Sequence, residues 1–172
     1  INNYQKSFVD NIGNGYGTSL ASGRMGLYLV LKILDIKEGD EVVITGFTCS
    51  VMINAIMRVG ATPIYSDVCE ETFGSNAESI ALKISSRTKM IIAQHSFGIP
   101  CDIVKINLLA KRYKIFLLED CALSFGSSIE DVKLGNFGDA AIFSTDHSKP
   151  INTIIGGFFY TNNKKLYNKV NK

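Results

Sequence analysis

A lysine and an aspartate 29 residues apart carry the most chemistry in this chain. Asp120 closes a strand-like run, Ile115-Phe116-Leu117-Leu118-Glu119-Asp120. Lys149 lies in Ser144-Thr145-Asp146-His147-Ser148-Lys149, just past another such run and ahead of the paired glycines Gly156-Gly157. A carboxylate at one strand end and an amine just past the next suit pyridoxal phosphate (PLP). The lysine would hold the aldehyde as a Schiff base, and the carboxylate would keep the pyridine nitrogen protonated. Neither residue alone supports that chemistry; their order and setting do.

The elements that must position this pair follow from two alternating periodicities. Leu27, Leu31 and Leu34 fall at helical spacing after Gly23, with Ser22 as the cap. Glu41-Val42-Val43-Ile44-Thr45 is a β-branched strand, Ser50 to Arg58 a helix stopped by Gly60, and Pro63 to Val68 a strand. A helix over Ala77 to Ser85 and a strand over Lys89 to Gln94 come next, then an amphipathic helix over Asp102 to Tyr113. The strand ending at Asp120 is followed by strands Ala140 to Ser144 and Gly157 to Thr161. Apolar strands alternating with amphipathic helices predict an α/β fold with three αβα layers and a mostly parallel sheet. Ligands sit beyond the carboxyl ends of strands in such sheets, where Asp120, Ser144 and His95 fall and Thr48 and Lys149 follow.

Composition narrows the function classes. The 172 residues are 46% hydrophobic and 20% charged, which fits one globular domain able to bury a core. A net charge of +2 gives no footprint for nucleic acid or an anionic membrane surface. The lysines at 164, 165, 169 and 172 read as one solvated helix face. No apolar run approaches the roughly 20 residues of a membrane span, and no signal peptide opens the chain. Cys49, Cys69, Cys101 and Cys121 lack metal-site spacing, so no metal is expected and the thiols read as cytosolic. No GxGxxG or GxxxxGK[ST] follows a strand, which removes support for a simple nucleotide-binding module.

The ordered motifs resemble the DegT/DnrJ/StrS family of PLP-dependent sugar aminotransferases. They run Ser22-Gly23-Arg24-Met25-Gly26-Leu27, Gly39-Asp40-Glu41-Val42-Val43, Phe47-Thr48-Cys49 and Gly60-Ala61-Thr62-Pro63. Next come Gln94-His95-Ser96-Phe97-Gly98-Ile99-Pro100-Cys101-Asp102, Glu119-Asp120-Cys121-Ala122, Gly138-Asp139, Phe143-Ser144, Ser148-Lys149-Pro150 and Gly156-Gly157. Each motif is weak alone; the set in this order is specific, and it covers about Phe8 to Asn163.

The resemblance implies an aspartate-aminotransferase-like large domain of fold type I. Residues 1–172 would form that domain in truncated form, cut at both ends, without a C-terminal small domain and inactive by itself. It implies amino transfer from an amino acid, glutamate first, to a keto group of a nucleotide-linked sugar. It further implies a cytoplasmic homodimer at full length, with products entering bacterial surface polysaccharides or glycosylated metabolites. Lys149 would bind the cofactor covalently, and Asp120 would pair with its ring nitrogen. Gly23, Arg24, Met25 and Ser144 would hold its phosphate at a helix start, and Cys49 would face the ring. For Arg24 a solvent-facing position stands beside phosphate pairing; for Cys49 a buried packing role stands beside ring contact. Glu119 is expected on the opposite strand face from Asp120, and His147 as a loop residue. Two departures favour a non-catalytic relative. Leu123 stands where relatives place glutamine or histidine near the cofactor's phenolic oxygen, and Ile155 where they often have glutamate. A dehydratase of the same fold would carry histidine in place of Lys149.

Overall fold

The computed structural model describes residues 2–172. In chain order the elements are α1 (Asn2–Asp10), β1 (Tyr16–Leu20), α2 (Gly23–Ile33), β2 (Glu41–Thr45), α3 (Ser50–Arg58), β3 (Thr62–Ser66) and α4 (Ala77–Ala81). They continue with β4 (Thr88–Gln94), α5 (Ile103–Tyr113), β5 (Phe116–Asp120), β6 (Ser128–Ile129), β7 (Val132–Lys133), β8 (Ala140–Ser144), β9 (Gly157–Thr161) and α6 (Lys164–Val170). A 3-10 turn over Ser96–Gly98 follows β4.

Seven strands form one sheet in the order β1-β9-β8-β5-β4-β2-β3, with β6 and β7 as a separate hairpin. The run from β3 to β8 is parallel; β9 is antiparallel to both β8 and β1. The central strands are buried on both faces, which is why Met90-Ile91-Ile92-Ala93 reads as a continuous apolar run and not as alternation. On one face Leu27 and Leu31 of α2 and Ile56 of α3 pack on Val42, Ile44, Ile92, Leu118 and Ile142. On the other, Phe8 of α1, Ile80 of α4 and Ile103 and Ile106 of α5 pack on Val43, Ile91, Leu117, Phe143 and Phe158. The αβα layering expected from the periodicity is observed.

Three differences from the sequence reading have physical causes. α1 and β1 lack a strong pattern because α1 buries only Phe8, and β1 is an edge strand paired on one side. What fixes α1 is aromatic packing: Phe8 stacks on Phe158 with ring centroids 4.1 Å apart. The helix expected over Ala77 to Ser85 stops at Ala81, since Ser85 turns instead to bond Glu41 and accept from Arg87. The strand expected to reach Val68 ends at Ser66, where the Val68 amide bonds the Asp67 side chain.

Strand order reverses between β2 and β4: the chain moves outward from β2 to β3, then returns to β4 and proceeds through β5 to β8. Such a switch point opens a crevice beyond the carboxyl ends. Register places Gln94 beside Asp120 at the ends of β4 and β5. Because β9 runs backwards, its first residue Gly157 pairs with Ser144 at that same edge.

Glu119, one residue before Asp120, is wholly buried on the opposite face, as the alternation of a strand requires. Its carboxylate accepts from the amides of Gly135 (2.8 Å), Phe137 (2.8 Å) and Gly138 (2.7 Å). His95 Nε2 approaches it at 3.2 Å. The Cys101 amide donates to His95 Nδ1 at 3.2 Å, so the ring proton sits on Nε2 and is donated to Glu119. His95 is thereby a structural residue tying three segments. Replacing Glu119 with alanine strands these donors in a dry interior. Glu119→Ala is expected to lower stability by about 3–5 kcal/mol, measured by urea unfolding of the complete protein.

Candidate functional site

Two clefts lie along the carboxyl edge of the sheet and share Cys49, Asp120, Ala122 and Lys149 as a common wall. One, of about 230 Å³, extends to Ser22, Gly23, Ser144 and Gly156. The other, of about 280 Å³, extends to Phe47, Gln94, Phe97 and Leu123 at the switch point.

The first cleft is shaped by close approach. Ser22 caps α2: its backbone is extended and its hydroxyl accepts from the Met25 amide at 3.2 Å. The amides of Gly23 and Arg24 have no hydrogen-bond partner among the described residues, so they offer an anion site at the helix start. A Cβ on Gly23 would sit 3.1 Å from the Phe143 carbonyl oxygen and 3.3 Å from Ser144 Cβ. One on Gly157 would overlap the Ser22–Gly23 peptide itself. Glycine at both places lets the helix start meet the β8–β9 edge directly.

Asp120 is 6% exposed. One carboxylate oxygen accepts from the Ala122 amide at 3.0 Å; the other has no partner among the described residues. Burial raises its pKa above the ordinary value, against the pull of the Ala122 amide and the Lys149 charge. Half-buried Lys149 lines both clefts, and its ammonium makes no hydrogen bond or ion pair with a described residue. The Asp120 site therefore holds an acceptor that a protonated ring nitrogen would satisfy. The Gly23–Arg24 amides and the Ser144 hydroxyl would suit a phosphate. The residues present fit PLP.

The structure thus brings Gly23, Arg24, Cys49, Asp120, Ser144 and Lys149 to one lining. Met25 is not among them: its amide is spent on Ser22, and its exposed side chain turns to a groove with Tyr28 and Arg58. Arg24 borders both that groove and the cleft. Cys49 is exposed on the cleft wall, not buried as a packing residue. Leu123 lines the second cleft, while Ser124 is buried away from it with its hydroxyl unpartnered. Ile155, 72% exposed, borders the first. His147 is an exposed loop residue 2.7 Å from Asp146.

Sequence reasoning did not single out Gln94 as a side chain, nor Phe47 and Phe97 at the cleft mouth. The available signal was a polar residue closing an otherwise apolar strand. His95, Glu119 and Cys121 also lie close enough for their ligand atoms to share an ion. Yet the first two are committed to one another and to backbone amides, and burial keeps the Cys121 thiol protonated. That cluster is a hydrogen-bonded core. No helix among the described residues is long and apolar enough to cross a membrane.

GDP-perosamine synthase of Escherichia coli O157:H7 is 39% identical over 169 residues, which is 98% of this chain and 46% of that protein. The chain thus spans under half the length of this relative. Among solved structures, an aminotransferase from Psychrobacter cryohalolentis superposes with a TM-score of 0.95 at 32% identity, covering 98% of this chain and 43% of that one. NtdA of Bacillus subtilis, solved with bound cofactor PMP, superposes with a TM-score of 0.92 at 27% identity, covering 98% and 38%. The fold is that of a type I aminotransferase large domain. The sequence model of one family matches all of residues 1–172, and the chain belongs to that family, the DegT/DnrJ/EryC1/StrS aminotransferases.

Proposed function

We propose that residues 1–172 are the cofactor-binding large domain of a PLP-dependent enzyme that transfers an amino group from glutamate to a keto group of a nucleotide-linked sugar. The observation that carries this reading is the meeting of Asp120 and Lys149 on one wall, with an open helix start at the far end of the same cleft. Its sugar substrate is supported by the relative named for GDP-perosamine synthesis. In the complete protein a C-terminal small domain and a second subunit close the site, in the cytoplasm.

When bound, PLP supplies the electron sink for breaking a bond at the amino-bearing carbon. The Gly23 and Arg24 amides and the Ser144 hydroxyl would hold its phosphate. Asp120 would keep the proton on its ring nitrogen, and Cys49, on the same cleft wall, would offer it a small, soft contact. Lys149 is the amine that would hold the aldehyde and, when free, would serve as the base that moves a proton at the amino-bearing carbon.

A second reading, a relative that binds without turnover, is supported by Leu123. That side chain lines the cleft and cannot donate a hydrogen bond, and Ser124 does not reach the cleft to replace it. Glutamate separates the two: a shift in the bound cofactor's absorbance on adding it belongs to the aminotransferase, and an unchanged spectrum to the inert relative.

Lys149→Ala is expected to abolish borohydride-stable attachment of PLP. Peptide mapping that finds the reduced cofactor on a different lysine would overturn the assignment.

Asp120→Asn is expected to act in opposite directions on fold and function. The folded-state pKa is raised above its ordinary 3.8. The wild-type apoprotein therefore loses stability as pH climbs from the unfolded value through the folded one, and keeps it below. At neutral pH the asparagine variant should melt higher than wild type without cofactor, with the gap closing in acid. Its glutamate half-reaction should slow by about 10²–10³-fold, as for loss of one preorganised electrostatic partner. Equal melting curves across the pH range would show that Asp120 carries no such strain.

A further inference from the structure

We propose that Gln94 is a positioning residue that holds the Phe47–Cys49 wall of the cleft in place against Asp120. The proposal rests on the reading of this cleft as the cofactor site. Gln94 ends β4 directly beside Asp120 in register, so both side chains emerge on the same face at the same level. Its carboxamide is committed in three directions. The oxygen accepts from the Thr48 hydroxyl at 2.6 Å. The nitrogen donates to the Phe47 carbonyl at 2.9 Å and to the Ser96 hydroxyl at 2.8 Å. Ser96 passes its own proton to the Phe73 carbonyl at 3.0 Å. One side chain thereby ties together the segments that follow β2, β3 and β4.

The segments it ties carry the rim of the second cleft. Phe47, Phe73 and Phe97 are each roughly half exposed. Phe97 lies 6.0 Å from Phe47 and 5.6 Å from Phe73, centroid to centroid. Phe73 and Phe97 both have φ of 56°, a left-handed backbone that bulky residues adopt only when their surroundings impose it. Ser96, itself held by Gln94, bonds the Phe73 carbonyl, and the Phe73 amide bonds the Cys69 carbonyl at 2.8 Å.

Cys49 depends on the same bonds. It stands at the start of α3, exposed, with no capping hydrogen bond from its side chain. Its distance from Asp120 and Lys149 is set by the backbone that Phe47 and Thr48 anchor. The pattern of one acceptor and two donors is specific to a carboxamide of this length. Glutamate offers only acceptors and would face the Phe47 carbonyl with a negative charge; methionine keeps the length and loses every bond.

The test compares the complete wild-type protein with Gln94→Glu and Gln94→Met. Readouts are alkylation of Cys49 by iodoacetamide with and without saturating PLP, located by peptide mapping, and visible circular dichroism of the bound cofactor. In wild type, PLP should shield Cys49. In both variants borohydride should still fix PLP on Lys149, while shielding falls by at least about ten-fold, the scale of a single lost hydrogen bond being the lower bound, and the dichroic band weakens. A merely stabilising glutamine would change melting without changing either signal. Shielding and dichroism equal to wild type in the variants would overturn the proposal. If wild type fixes no PLP on Lys149, the functional reading fails and positioning is judged on the apoprotein. Faster hydrogen exchange at residues 47–50 in Gln94→Glu then supports it, and unchanged exchange overturns it. Should one variant fail to fold, Thr48→Val, which removes only the bond to the Gln94 oxygen, takes its place in the same readouts.

Discussion

The carboxylate of Glu119 is the constraint on which the site hangs. Its oxygens have no access to water, and a carboxylate so placed needs hydrogen bonds that replace its hydration. Three loop amides and His95 do so. The loop before β8 is thus pulled onto the end of β5, and through His95 the Cys101 segment is drawn to the same point. With β5 clamped from behind, Asp120 on its other face is held at a fixed height above the sheet. Of two adjacent carboxylates, one is satisfied and immobile and the other is left with an open oxygen. Strand alternation alone separates these fates.

Around that fixed point the sheet brings distant residues together by direction, not by proximity in sequence. Parallel strands send Gln94, Asp120 and Ser144 to one edge, and the reversal at β9 adds Gly157. α2 and α3 both start at this edge, so their open amide ends face it. The glycines at 23 and 157 remove the volume that would otherwise hold α2 away from β9. The resulting trough has amides unpartnered among the described residues and the Ser144 hydroxyl at the Gly23 end, and aromatic rings at the Phe47–Phe97 end. That asymmetry fits a ligand with an anionic head and a flat body.

Much of this was legible in the sequence. Strands buried on both faces announce themselves as apolar runs, and helix starts announce themselves through Ser22 and Gly23. Asp120 and Ser144 stood out because they close strands, and Lys149 because it follows Ser144 by a short, local spacing. The parts that stayed hidden are those fixed by long-range pairing. β1 gains its place only by pairing with β9, and α1 only by stacking Phe8 on Phe158. Gln94 gave no sign of its partners, since Thr48 is 46 residues away. Met25 was grouped with Gly23 by adjacency, yet a helix turns its side chain away within two residues. Cys49 had two readings, and only the open start of α3 placed it on the wall.

The reversal at β9 also limits how far Lys149 can travel. Ser144 and Gly157 are paired, and just beyond them Thr145 donates to the Gly156 carbonyl at 3.0 Å and accepts from the Thr153 amide at 2.9 Å. Within the segment the Lys149 amide bonds the Asp146 carbonyl at 3.0 Å. The lysine is thus leashed at both ends to the strand floor of the cleft. An amine on so short a leash, once detached from a partner, stays within reach of it. For any group it released, recapture would be a first-order event at high effective concentration, not a search through solution.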